Sequence, residues 1–360
     1  MKASQVSSYK YAAPVAALIF LSPVLTELLM GVVHVTNLWL LVPEMGVYGC
    51  VALIIREVTR RLQRGWGTML LLGMAFSIAE ECVILQTSLT PQFFAAAPKV
   101  SFGWAAGVQW IYLTAMLWYE SVYAVVLPIY LTELLFPRQR DELWLGRRGL
   151  AISAGIFLLS AIAAWWLWGH AGVLKYGPNT YQVPATHVVL ALVAIAVLVS
   201  GTLLLRPSRP VRKADRRPWS PWLVGLVAFI HGLAWFLLIV LAYIPASVFQ
   251  GVTPAIPIAS GLAWVGLGLL AVRYLSRSQG WQDQHRLALI MGSSLASMLG
   301  GVTVILSASP IDQVGKLAFD LTAIILMAAL AVRLRKRHSQ VPGAPQPTAG
   351  SSLRSGGTNT

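Results

Sequence analysis

Acidic residues inside apolar stretches are the features of this sequence best able to do chemistry. Glu27, Glu44, the adjacent pair Glu80 and Glu81, and Glu120 all interrupt hydrophobic segments. An ionisable group inside a bilayer costs about 2.5–3.5 kcal/mol on insertion scales and usually marks a functional site. Adjacent carboxylates in such a medium cannot easily both ionise. A carboxyl held there is able to act as a general base on water, to bind a cation or to carry a proton, and the pair alone does not choose among these roles.

The composition places these glutamates in a membrane. The chain has 360 residues, of which 57% are hydrophobic and 11% charged, and its mean hydropathy is +0.68. Soluble domains carry about 25% charged residues, so a soluble globule is excluded. Because a spanning helix needs about 20 apolar residues, the sequence predicts an all-α polytopic transmembrane bundle of about ten helices. The predicted spans are 11–33, 38–55, 66–88, 106–135, 149–169, 187–205, 221–244, 257–275, 287–307 and 316–333.

Basic residues give the orientation of these spans. With the N-terminus inside, 24 of the 27 lysines and arginines fall in inner segments, and only Lys99, Lys175 and Lys316 fall outside. This asymmetry is the one that cytoplasmic loops show. The net charge of +14 is therefore a topology signal and not a sign of nucleic-acid binding. Both termini are predicted to be cytoplasmic.

The sequence also predicts three regions. Residues 1–148 form a four-helix membrane module with the intramembrane acids, residues 149–336 form a six-helix module, and residues 337–360 form a disordered cytoplasmic tail. Cys50 and Cys82 lie in apolar runs and provide neither a disulfide framework nor a Cys-rich metal site. No GxxxxGK[ST] nucleotide site occurs, and no cofactor or metal is expected. The expected partner is the lipid bilayer.

Four of the carboxyls are predicted to lie at one depth. Counted from the outer ends of their helices, Glu27, Glu44 and the pair Glu80 and Glu81 lie six to eight residues down, roughly 10 Å below the outer surface. This layer is the predicted centre of any site. Glu120 and His231 are expected nearer the midplane.

Other residues are predicted to accompany the layer. Glu27, Gly31 and His34 have the spacing of one helical face. Pro128 is expected to kink the long fourth helix, where Tyr123 follows Glu120 in a stripe of tyrosines whose hydroxyls need partners. The remaining tyrosines of this stripe are Tyr112, Tyr119 and Tyr130.

Two further expectations concern later helices. Asp320 is expected to reach the membrane interface. Ser293, Ser297 and Gly301 form a small-residue seam that favours close helix packing.

The segment from Arg64 to Leu89 resembles a group of uncharacterised bacterial polytopic membrane proteins. In these proteins a Gly-Trp turn, here Gly65-Trp66, leads into a helix with a Glu-Glu pair followed by Gln-Ser-Leu. The resemblance covers roughly residues 20–150. It implies a bacterial plasma (inner) membrane location and brings no known activity.

The glutamate pair is also distantly similar to the EExxxR motif of the CPBP (CAAX-protease and bacteriocin-processing) family of intramembrane proteases. In that family the pair helps to activate water. This sequence departs from the family at several positions: Leu85 replaces the arginine, Phe229 and His231 are two residues apart, and Trp235 replaces the later Asn. Glu120 stands on the fourth helix where the first histidine is expected.

Three functions remain open from the sequence. The first is a CPBP-like protease or a degenerate relative that acts on a peptide, with Glu80 and Glu81 as catalytic residues and His231 as helper. The second is a proton- or cation-coupled secondary transporter of a small solute; Pro43 beside Glu44 and Pro128 below Glu120 would mark helix breaks. Its substrate- or proton-binding residues would be Glu27, Glu44, Glu120, Tyr123 and His34. The third is a non-enzymatic partner subunit in the membrane.

Overall fold

Long apolar helices make up most of the chain. The computed structural model describes residues 3–93, 102–169, 182–205, 213–244 and 246–339. Within these residues, ten helical segments are long and apolar enough to cross a membrane, which confirms the predicted all-α architecture and the number of spans. The observed spans are Lys10–Leu28, Val35–Arg61, Trp66–Ile84, Trp110–Leu135, Arg147–Leu167, Ala185–Leu204, Pro221–Ala242, Ala255–Ser276, Asp283–Ile305 and Pro310–Arg337.

Twelve α-helical segments build these spans in the part of the chain that the structure describes. They are α1 (Ala3–Pro23), α2 (Leu41–Glu44), α3 (Cys50–Arg61), α4 (Trp66–Ala79), α5 (Trp110–Glu120), α6 (Leu127–Leu135), α7 (Arg147–Gly169), α8 (Ala185–Leu204), α9 (Pro221–Ala242), α10 (Ala255–Ser276), α11 (Asp283–Ile305) and α12 (Pro310–Ser339). A short antiparallel hairpin, β1 (Trp104–Ala105) and β2 (Val108–Gln109), leads into α5.

Each of the first four spans contains a wider, π-helical turn, at the end of the first and third spans and inside the second and fourth. The last six spans are continuous helices over their described residues. Isolated π turns occur often at functional sites. Each of these turns contains or directly follows one of the five glutamates. The turns are Val24–Leu28, Met45–Gly49, Glu80–Ile84 and Ser121–Val126.

The interruption predicted at Pro128 takes the form of the π turn that immediately precedes α6. Proline has no N–H, so it cannot bond the carbonyl four residues earlier. That carbonyl belongs to Ala124, and it accepts a hydrogen bond of 2.6 Å from Ser22 Oγ of α1 instead. The side chain of one span thereby satisfies the backbone of another at the break.

The first span ends earlier than predicted. Its last helical turn closes at Leu28, and Gly31 adopts φ +78°, a left-handed conformation that terminates the helix. His34 follows in extended conformation. The predicted helical face of Glu27, Gly31 and His34 is therefore wrong, because the helix does not continue past the glutamate.

Small residues allow the later helices to approach closely. A Cβ added to Gly292 of α11 would lie 2.1 Å from the Gly225 carbonyl oxygen of α9, so only glycine fits there. A Cβ added to Gly301 would lie 2.2 Å from the Met30 carbonyl oxygen. Ser297 Oγ also contacts Met30 Sδ. Of the predicted seam on α11, Ser297 and Gly301 thus contact Met30, two residues past the end of the first span.

One end of the bundle carries most of the described basic residues, and we call it the basic end. It includes the end of α3, the segment 136–146, the α10–α11 connection and the end of α12. Arg140 binds Asp283 there, with Nη2 2.7 Å from Oδ2. The helix α12 extends to Ser339, three residues into the predicted tail. The rest of that tail, 340–360, and the predicted outer residues Lys99 and Lys175 lie outside the described residues.

Candidate functional site

Three buried carboxylates from two spans converge in the half of the bundle away from the basic end. Glu80 and Glu81 open the π turn that follows α4, and Glu120 is the last residue of α5. One carboxylate oxygen from each lies within 4.8 Å of the other two. All three side chains are at most 3% exposed. The sequence placed Glu120 nearer the midplane, but the structure joins it to the glutamate pair.

Hydroxyl groups support the pair from two directions. Tyr48, in the π turn after Glu44, donates to Glu80 Oε1. Thr87 and Ser88 both donate to Glu81 Oε2, the latter at 2.9 Å. The two glutamates thus have different donors, as expected from the 100° between consecutive helical residues, yet Glu120 contacts both carboxyls.

A sharp turn brings these hydroxyls back to the pair. Gln86 adopts φ +58° and ends the helix, and a 3₁₀ turn, Thr87–Leu89, begins directly after it. Sequence reasoning did not select Tyr48, Thr87 or Ser88 as site residues. In a continuous helix, residues six and seven positions after a glutamate lie about 9–10.5 Å farther along the axis, beyond hydrogen-bond reach. The predicted span 66–88 contained no such break.

Glu27 and Glu44 flank the buried three. Glu27 interacts electrostatically with Glu80 and Glu81, while Glu44 interacts with Glu27 and Glu80. Both flanking side chains are half-buried. The four carboxyls of the predicted layer and Glu120 therefore form one group, which we call the carboxylate cluster (Glu27, Glu44, Glu80, Glu81 and Glu120).

The carboxylate cluster has no basic counter-charge among the described residues. Its partners are tyrosine, threonine and serine hydroxyls and the other glutamates. One oxygen each of Glu44, Glu80 and Glu120 is buried without a hydrogen bond. Ser77 Oγ, one helical turn before the pair, is also buried without a partner. Five carboxylates in this setting cannot all be ionised unless protons or a cation neutralise them.

The structure does not bring His231 to the carboxylate cluster. Its Nε2 lies 3.0 Å from the Trp264 carbonyl oxygen, and its ring stacks on Trp264 with 5.3 Å between centroids. These contacts join α9 to α10. The assignment of His231 as catalytic helper therefore has no geometric basis in the described residues.

The tyrosine stripe and His34 also have other partners. Tyr119 donates to the Thr26 carbonyl, and Tyr123 Oη lies 2.9 Å from the Ser293 carbonyl oxygen, so both hydroxyls connect helices through backbone groups. His34 Nδ1 lies 3.8 Å from Asp312 Oδ2. Tyr123 and His34 thus bind elsewhere than the carboxylates with which the sequence grouped them.

The position of Asp320 differs from the one predicted from the sequence. It is only 8% exposed and pairs with the equally buried Lys316, whose Nζ also donates to the Met298 carbonyl oxygen at 3.3 Å. The sequence placed Asp320 at the interface and Lys316 at the outer end of the last span. Both lie in α12, which begins six residues earlier than the predicted span. This extra length takes the pair into the bundle.

A second polar cluster lies at the basic end and was missed entirely. Arg56 is fully buried and binds Glu57 Oε1 at 2.8 Å and Glu133 Oε1 at 3.3 Å. Its guanidinium carbon lies 3.3 Å from the centroid of the Trp144 ring. Arg60 Nη2 binds Glu133 Oε1 at 2.6 Å. We call Arg56, Glu57, Arg60, Glu133 and Trp144 the arginine cluster.

The arginine cluster fixes the segment that follows α6. Arg56 Nη2 donates to the Arg140 carbonyl at 2.8 Å, and the Glu57 carboxylate accepts from the Trp144 and Leu145 backbone N–H groups at 3.0 and 3.2 Å. Sequence reasoning used Arg56 only as a topology signal. An arginine next to a glutamate at a span end was the available sign.

Comparison with protein-family models, with characterised proteins and with solved structures finds no match to this chain. The fold and the two polar clusters define a multi-pass α-helical membrane protein.

The ligand chemistry of the carboxylate cluster is that of oxygen donors alone. Carboxylate and hydroxyl oxygens suit protons and hard cations. Calcium binds its oxygen ligands at about 2.3–2.6 Å, so ligands on opposite sides of the ion lie about 4.6–5.2 Å apart. One carboxylate oxygen from each of Glu80, Glu81 and Glu120 lies within 4.8 Å of the other two, so the three oxygens are close enough to bind one calcium ion together.

Proposed function

We propose that this protein is a proton- or cation-coupled secondary transporter whose coupling site is the carboxylate cluster. The observation that carries the proposal is the mutual contact of Glu80, Glu81 and Glu120 in a buried setting without a basic partner in the described residues. Such a group gains stability by taking up a proton or a hard cation. Repeated uptake and release of that charge is what coupling requires.

Helix breaks support this proposal. Transporter sites lie where spanning helices are discontinuous. The second span contains a 3₁₀ turn, Val35–Leu40, with the non-helical residue Asn37, and then the π turn Met45–Gly49. The π turn is buried from Gly46 to Gly49, and irregular backbone is tolerated in a membrane where protein surrounds it.

The graded exposure of the five carboxyls supports an entry route. Glu27 and Glu44 are half-buried, whereas Glu80, Glu81 and Glu120 are buried. Glu27 also lies in the last turn of the first span, away from the basic end. With the basic end in the cytoplasm, as the charge asymmetry predicts, a cation would reach the buried carboxyls from the outer surface past the flanking pair.

The proposal is tested by the protonation of the cluster itself, which needs no knowledge of the solute. Purified protein in lipid is titrated with sodium, calcium and protons while infrared difference spectra record the C=O band of protonated carboxyls. We expect bands that disappear on cation binding or deprotonation and that are lost in Glu80→Gln and Glu120→Gln. Glu142→Gln, which changes an exposed carboxylate, is the matched control. Spectra unchanged by every cation and by pH would contradict the proposal.

Flux then tests coupling. In vesicles with an internal pH dye and an imposed potential, the wild type is expected to move protons, or a radioactive cation, faster than Glu80→Gln does. Equal rates in the wild type, in Glu80→Gln and in Glu120→Gln would contradict transport even where the site binds a cation.

Intramembrane hydrolysis is a second candidate, and one observation favours it. The carboxyls of Glu80 and Glu120 are in contact. Two carboxyls that share one proton form an arrangement able to activate water for peptide cleavage. Glu120 also occupies the helix on which the CPBP resemblance expects a histidine. Cleavage of hydrophobic peptides that Glu80→Gln and Glu81→Gln both abolish would support this candidate, and cleavage that persists in both would exclude it.

A further inference from the structure

A groove opens on the lipid-facing side of the bundle near the basic end, remote in sequence from both polar clusters. Its volume is about 450 Å³, and it lies between α9, α11 and the end of α12. Most of its lining is apolar, including Leu226 and Phe229. Trp222 at its edge is 69% exposed and Leu226 is 43% exposed. The groove is therefore open sideways to the hydrocarbon.

Glycines make this groove. Gly225 and Gly292 both line it, and at this point α9 and α11 touch through backbone atoms. Since neither residue has a side chain, the two helices leave a depression where a larger pair would fill the surface. The buried Leu287 also lines the groove and is only 1% exposed.

The length of the groove matches one leaflet. Along α9 its lining runs from Pro221 to Phe229, about 12 Å at 1.5 Å per residue, and along α11 from Gln284 to Leu295, about 16 Å. Half of a hydrocarbon core of about 30 Å is about 15 Å. The groove thus extends from one membrane surface to the midplane.

Polar groups occur at only one end of this lining. Arg335 of α12 and Gln284, near the start of α11, line the groove at the basic end. Further positive charge stands on the same last turns of α12, at Arg333, Lys336 and Arg337.

We propose that this groove binds an anionic phospholipid, with an acyl chain against the Gly225–Gly292 contact and the headgroup phosphate at Arg335. The apolar lining suits a hydrocarbon chain, and its length suits one leaflet. Basic pockets between spanning helices favour anionic headgroups. The proposal is independent of the transport function.

Native mass spectrometry of the purified protein tests the site, with phosphatidylglycerol and phosphatidylcholine of identical acyl chains as probes. We expect the wild type to retain phosphatidylglycerol preferentially. Arg335→Gln should weaken this retention about fivefold, the effect of one basic residue near an anionic lipid. Arg337→Gln, the same change of charge on the same helix end but outside the groove lining, is the control and should keep the preference.

Two outcomes would overturn the proposal. Equal retention of the two lipids by the wild type would exclude a headgroup site, and equal losses in Arg335→Gln and Arg337→Gln would reveal only a general attraction to charge.

A third variant tests the site of the acyl chain. Leu226→Trp fills the groove from its open side and should lower retention of both lipids; unchanged retention would place the lipid elsewhere. Unfolding temperatures without lipid confirm that each variant is folded.

Discussion

The two polar clusters of this protein share the second and fourth spans but differ in the balance of their charges. The second span carries Glu44 of the carboxylate cluster and, twelve residues later, Arg56 of the arginine cluster. The fourth span carries Glu120 and, thirteen residues later, Glu133. In the arginine cluster each buried glutamate faces a guanidinium, whereas in the carboxylate cluster glutamates face one another.

The difference in charge balance indicates a stabilising role for the arginine cluster and a functional role for the carboxylate cluster. A buried ion network with satisfied hydrogen bonds holds its elements in one geometry, and removing a member leaves an unpaired charge in a poor solvent. A group of like charges without counter-charges is strained in its ionised form and is retained at sites that need it. We therefore expect opposite responses to mutation in the two clusters.

The largest expected effect is at Arg56. Arg56→Ala removes the partner of Glu57 and Glu133 and the packing against Trp144, so we expect a loss of about 3–5 kcal/mol in unfolding free energy, as measured for broken buried pairs. Denaturation of the purified protein in detergent measures it. Arg337→Ala, an exposed arginine of α12, should change stability little. Similar small losses in both variants would remove the distinction between the two clusters.

A matched pair on the fourth span tests the comparison directly. Glu133→Gln weakens the charged hydrogen bonds to Arg56 and Arg60 and should cost about 1.5–3 kcal/mol. Glu120→Gln removes one of the mutually repelling charges and adds an amide donor, so it should be neutral or stabilise by about 0.5–2 kcal/mol while abolishing coupling. Thermal unfolding of both variants gives the sign. Destabilisation by Glu120→Gln equal to that of Glu133→Gln would show that the carboxylate cluster is as well balanced as the arginine cluster.

Tyr48→Phe is expected to have a smaller effect. It removes the hydroxyl that donates to Glu80 and preserves the ring. The ring packs against Phe76 with 5.8 Å between the two ring centroids. The expected loss of unfolding free energy is about 1 kcal/mol, the net value of one hydrogen bond. The infrared band of the cluster should shift in the same variant, because Glu80 loses its donor. A stability loss without any spectral change would assign Tyr48 a packing role alone.

The smallest expected effect is the pH dependence of stability that comes from Glu142, a partly exposed carboxylate at the basic end. Hydrogen bonds from Lys10 at 2.7 Å and from Tyr11 at 2.6 Å hold the pKa of Glu142 below its ordinary value of 4.5. A carboxyl whose pKa is lowered on folding stabilises the fold above its unfolded pKa, and this contribution is lost as pH falls through the folded value.

The difference in unfolding temperature between the wild type and Glu142→Gln should therefore be full at neutral pH, begin to decrease near pH 4.5 and vanish once the pH falls below the lowered pKa of the folded protein. Because the pair is solvent-exposed, the difference should be small and should decrease with salt. A difference that grows on acidification would contradict this sign.

Much of the architecture was predictable from composition and periodicity. Ten spans follow from runs of about 20 apolar residues, since the bilayer fixes the length of each helix. The carboxyl layer followed from counting residues from the ends of those spans. The count left Glu120 out of that layer, whereas the structure places its carboxyl beside those of Glu80 and Glu81.

The sequence alone determined that this is a multi-pass helical membrane protein with glutamates inside its spans, because hydropathy and charge are properties of the residues themselves. Only the tertiary structure decided which polar residues meet. It brought Thr87 and Ser88 back to Glu81 through the left-handed turn at Gln86, and it directed His231 to Trp264. It also paired Arg56 with Glu133, 77 residues away in the chain. Such contacts depend on where helices end and how they pack, and those are set by contacts between distant segments.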